Sequence, residues 1–177
     1  MLLNKSKNLA RTAILLSISI GVQALGRSYP QISQVFVGSI VNAALILSVF
    51  TSGLSWAVLL GSLTPFLAWI IGQLPGPMGP FVPFIMIGNA IYIISFYALK
   101  GEKKLNNYIA LPIAAFLKFL FLWLSAGKLI YLFNLGLPEK VASKLAIMMG
   151  IPQLTTAIIG GYIGLLLVRV LAKNKIM

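Results

Sequence analysis

The residue types that carry most enzyme chemistry are nearly absent from this 177-residue chain. It has no histidine and no cysteine, and its only acidic residues are Glu102 and Glu139. Disulfides, thiolate nucleophiles, His/Cys metal sites and Ser-His-Asp triads are therefore excluded. The two carboxylates are far apart and neither lies in an apolar run, so they form no general acid/base pair. An enzyme is not expected, and the sequence calls for neither a metal nor a cofactor.

What remains is a set of amides, aromatic rings and one lysine set inside long apolar runs. Such groups are expensive in lipid and are functional candidates by default. Gln34, Asn42, Gln73, Asn89, Tyr92, Lys118, Trp123 and Gln153 are the candidate substrate-binding residues. Gln23, Trp69 and Thr156 share the same half of their segments. Each has a plainer reading. The asparagines can serve as hydrogen bonds between helices, about 0.6 kcal/mol on average. The indoles can lie in the interfacial aromatic belt. Asn89 and Tyr92 are three apart on one helical face. Gln153 follows Pro152, whose ring would free a carbonyl inside the sixth span. Lys118 stands out most, because a lysine deep in a span costs about 2.5–3.5 kcal/mol and no acidic residue in any span can pair with it.

These residues need elements to hold them, and the composition says which kind. The chain is 59% hydrophobic and 9% charged, against about 25% charged in soluble domains. Its mean hydropathy is +0.99. A spanning helix needs about 20 mostly apolar residues. Six runs qualify, at about Asn8–Gly26, Val35–Phe50, Leu54–Leu74, Val82–Leu99, Tyr108–Tyr131 and Lys144–Leu171. Ser28-Tyr29-Pro30 ends the first, Gly53 separates the second and third as a tight hairpin, and Pro75 to Pro80 is expected to be a non-helical loop. Lys100 to Lys104 and Asn134 to Glu139 supply the remaining breaks. The expected fold is an all-α integral membrane protein, one domain over residues 1–177, with six transmembrane helices.

The net charge is +12. The basic residues sit mostly between apolar runs, which points to topology and anionic headgroups rather than nucleic acid. Lys5, Lys7, Arg11, Lys100, Lys103, Lys104, Arg169, Lys173 and Lys175 fall on one side; Arg27, Lys128, Lys140 and Lys144 fall on the other. The positive-inside rule then puts both termini in the cytoplasm. The first segment also has the outline of a signal peptide, with Val22-Gln23-Ala24 as a small-x-small site, but the charge balance favours a retained first span.

Ala13, Ser17 and Gly21 recur every four residues in the first helix, a small-xxx-small stripe that admits close helix approach. Gly160 and Gly164 form a second such pair, expected to pack internally. With this stripe stand Gly38-Ser39-Ile40-Val41-Asn42-Ala43-Ala44-Leu45, Gly61-Ser62-Leu63-Thr64-Pro65 and Pro83-Phe84-Ile85-Met86-Ile87-Gly88-Asn89. In these stretches, and over nearly its whole length, the chain resembles the S-components of energy-coupling factor (ECF) vitamin transporters. Ser17 stands where that family typically has a second Ala in the stripe. The resemblance implies high-affinity binding of a vitamin or precursor near the outer face of a prokaryotic cytoplasmic membrane. It also implies docking through Ala13, Ser17 and Gly21 onto a transmembrane T-component with two ATPase subunits, and toppling to release the substrate. ATP chemistry would then belong to the partners, in keeping with the absence of a Walker A sequence.

With no carboxylate in any span, the expected substrate is neutral or anionic. The chain looks most similar to S-components for the cobalamin precursors α-ribazole or dimethylbenzimidazole. Riboflavin, biotin, pantothenate, queuosine-type precursors and tryptophan are alternatives; cationic thiamine is disfavoured. Outside the family, the competing readings are a self-sufficient small carrier or channel and a scaffolding membrane protein.

Overall fold

A computed structural model describes residues 2–101 and 104–174. Every regular element among them is helical. Helix α1 covers Leu2–Ser28 and α2 covers Pro30–Thr51. Pro30 thus opens α2 as well as closing α1, because its preset φ and missing N–H suit a first helical turn. Gly53, at φ 91°, turns the chain into α3, Leu54–Ile70. A side chain at that φ would be strained.

The segment after α3 departs from the expected loop. Gly76–Phe81 forms a 3₁₀ helix despite three prolines in 75–80. Pro75 precedes it and Pro77 sits in its first turn, so neither removes a needed N–H donor. The Trp69 indole N–H donates to Gly76 O at 3.1 Å and pins this turn. Helix α4 follows at Val82–Leu99, as the apolar run predicts. Of the expected polar turn after it, Glu102 and Lys103 lie outside the described residues.

Helix α5, Lys104–Leu124, continues through a π turn at Ser125–Leu129 into the single turn α6, Ile130–Leu132. The sixth expected helix is two. Helix α7 covers Glu139–Met148, Gly150 breaks the chain, and α8 covers Ile151–Lys173. Pro152 therefore opens α8 and does not kink a longer helix. Five helical stretches are long and apolar enough to cross a membrane, and α3 is a shorter apolar helix.

The bundle has an apolar core, yet it also buries polar side chains and exposes large apolar ones. Asn42, Thr64, Asn89, Lys118 and Ser125 are buried, while Ile14, Ile18, Ile113, Phe116 and Leu166 are exposed. That is the arrangement lipid selects. Helices α2 and α8 pack closely through glycines. A Cβ at Gly160 would overlap the Ser39 carbonyl oxygen, and one at Gly164 would lie 2.8 Å from Ala43 O. The Gly160/Gly164 pair thus packs internally, as expected.

Two prolines inside helices leave carbonyls without their usual donors, and each is satisfied by another helix. Pro65 cannot donate to Gly61 O; Asn89 Nδ2 does so instead, at 2.8 Å. Pro112 cannot donate to Tyr108 O; the Tyr162 hydroxyl does, at 3.2 Å.

Candidate functional site

One end of the bundle holds a cavity of about 370 Å3, at the small end of ligand-pocket sizes. The C-terminal part of α1, the N-terminal halves of α2 and α4, the end of α3 and the α7–α8 junction surround it. Lys118 of α5 reaches it from the side.

Six of the eight candidate binding residues line it: Gln34, Asn42, Gln73, Asn89, Lys118 and Gln153. Their placement follows from local packing. Gln34 Nε2 donates to Met148 O at 2.8 Å and ties α2 to the end of α7. Gln153 Nε2 lies 3.7 Å from the Met149 sulfur across the α7–α8 break. Asn89 is held by the carbonyl that Pro65 frees. Gly61 permits this, since a Cβ there would sit 3.2 Å from Asn89 Cβ.

Lys118 is 3% exposed. Its Nζ donates to Asn42 Oδ1 at 2.7 Å and lies 5.3 Å from the centre of the Tyr92 ring. Asn42 is fixed at its other end, where Nδ2 donates to Gly38 O at 2.8 Å. Tyr92 is fixed too, its hydroxyl donating to Ala157 O at 2.7 Å. Tyr92 therefore supports the lysine from below and does not itself line the cavity.

Trp123 lies elsewhere. It is 51% exposed, outside the cavity, and packs beside Phe119 with ring centroids 6.5 Å apart. The spacing along α5 explains the difference: five residues separate Trp123 from Lys118, which places them on different faces of a helix. Trp69 and Thr156 are not in the cavity either. Trp69 pins the 3₁₀ turn, and Thr156 Oγ1 donates to Gln153 O at 3.1 Å beside Gly38.

Sequence reasoning passed over Arg27, Lys144, Thr64 and Met149 as site residues, yet all line the cavity, with Gln23. Arg27 and Lys144 read as loop charges. Their signal was their position beside the segments that carry Gln34 and Gln153. Arg27 Nη1 donates to Ile71 O at 3.0 Å, which joins the end of α1 to the end of α3. The lining contains three cations, no carboxylate and no aromatic ring among the described residues.

The small-residue stripe points away from this cavity. Ala13, Ser17 and Gly21 are exposed, and a Cβ at Gly21 would meet nothing within 4 Å. The opposite face of α1 carries the buried Thr12, Ser19 and Gln23.

The family described as "ECF transporter, substrate-specific component" has a model that matches residues 7–172. The chain belongs to this family. No curated protein and no solved structure matches. As an ECF S-component it is part of a membrane transporter and not of an enzyme family. S-components bind small substrates and work with a T-component and ATPase subunits.

Proposed function

We propose that this S-component holds its substrate in the cavity beside Lys118, and that Gln34, Asn42, Gln73, Asn89, Lys118 and Gln153 form the site. The observation that carries this reading is the convergence of amides from three helices and a buried lysine on one space inside an apolar bundle. Buried polar groups of this kind are retained where something uses them.

The proposed topology has six crossings, α3 included, with both termini in the cytoplasm and the cavity opening outward. Arg11, Lys100, Arg169 and Lys173 lie at the end away from the cavity, which supports that orientation. The exposed stripe Ala13-Ser17-Gly21 is the proposed docking face for the T-component.

For the substrate, a cobalamin precursor is the reading the sequence prompted. Of the two precursors, α-ribazole suits the cavity better than dimethylbenzimidazole. Its ribose hydroxyls add donors and acceptors that the polar lining can bond, which the bare heterocycle lacks. A second substrate class, small acids, is favoured by Lys118. A thermal-shift titration of the detergent-purified protein tests the function. The panel holds α-ribazole, dimethylbenzimidazole, riboflavin, biotin, pantothenate and tryptophan. A true ligand at 100-fold its Kd stabilises by about 2.7 kcal/mol. Absence of any shift, together with failure to co-purify with ATPase subunits, counts against the assignment of this cavity.

A further inference from the structure

We infer that the group seated against Lys118 is a monoanion, a carboxylate above all, so that the substrate of this cavity is a small acid. The inference rests on the reading of the cavity as the substrate site.

An ammonium has three N–H donors. One goes to Asn42 Oδ1, and the other two have no acceptor among the described residues. The Tyr92 ring contributes only the negative face of its quadrupole. Glu139 is the one carboxylate among the described residues, and it does not line the cavity. A buried charge without a counter-charge is costly, and neutral dipoles compensate it only in part. An anion entering from outside the protein would supply the missing partner, and the cavity is the open side of Lys118.

The rest of the lining agrees. Arg27 and Lys144 are the other charged residues that line the cavity, and both are cationic and exposed. Together with Lys118 they give a path of one sign, which draws anions inward and repels cations. The lysine is also held in place before any ligand arrives. Asn42 is a positioning residue: the Gly38 carbonyl fixes its amide, and its Oδ1 orients the ammonium. A single buried cation balances one negative charge, which favours a monoanion over a doubly charged phosphate.

The experiment compares acids with neutral counterparts on the same protein in detergent. Pantothenate is paired with panthenol and biotin with biotinamide; α-ribazole and riboflavin are the neutral members. Binding is read by thermal shift and isothermal titration on the unmodified chain and on Lys118→Met. An acid is expected to bind at least 10-fold tighter than its neutral partner. K118M is expected to weaken the acid by about 10- to 100-fold, the range for a hydrogen bond to a charged group, and the neutral partner by less than threefold. The comparison on the unmodified protein stands even where K118M fails to fold. A neutral member that binds as tightly as the acids, with affinity lowered by Gln34→Ala but not by K118M, overturns the inference and leaves the cavity reading in place. No binding by any member overturns both.

Discussion

Asn89 answers two demands at once: it completes the backbone of α3 and it lines the cavity. Its amide donates to the carbonyl that Pro65 cannot serve. Asn89→Ala is expected to cost about 1–3 kcal/mol of stability, because Gly61 O then keeps only the long 3.4 Å hydrogen bond from the Thr64 hydroxyl. Pro65→Ala restores a backbone N–H. The double variant should therefore unfold at a higher temperature than Asn89→Ala alone, and equal melting temperatures would sink this account. Trp123 supplies the contrast. Its ring is on the outer surface, so Trp123→Ala should leave the ligand affinity within twofold of the unmodified protein, measured by titration.

Between elements, small residues set the distances. The α2–α8 contact depends on Gly160, where an added methyl meets backbone that cannot rotate away. Gly160→Ala is expected to destabilise the bundle by about 1–3 kcal/mol, the usual cost of overpacking. Gly21 sits in a helix interior with open space around it. Gly21→Ala should raise stability by up to about 1 kcal/mol through the lower entropy of the unfolded chain. Denaturation of the two variants side by side checks both signs. A fall in both would show that α1 packs more tightly through its stripe than the open space around Gly21 implies.

For the whole molecule, the cavity and the stripe face different directions, so the proposed binding and docking roles fall on separate surfaces. Ser17→Trp is expected to keep ligand affinity in detergent while abolishing uptake by cells that also express the T-component and ATPases. Loss of binding in this variant would mean that the exposed face of α1 supports the cavity after all. In the same cells, removal of the ATPases should stop uptake and leave binding untouched, since this chain carries no Walker A sequence.

Helix α4 and the Gly53 break were legible because each depends on local chemistry, an apolar run in one case and a positive φ in the other. The sequence alone determined a strongly apolar helical chain with no histidine, no cysteine and two acidic residues. It also marked Lys118 as an anomaly, since composition and hydropathy are sums over residues that need no coordinates. The split of the last segment into α7 and α8 was not legible: Pro152 reads equally well as a kink or as a first turn. Tertiary structure decided which polar residues meet. Gln34 and Gln153 are distant in sequence and reach one cavity only because α2 packs on α8 through glycines. Trp123 belongs to the same helix as Lys118 yet faces outward, because a helix turns about 100° per residue and five residues do not return to the same face. Which side of a helix meets its neighbours is a property of the packed bundle, and no single helix's sequence contains it.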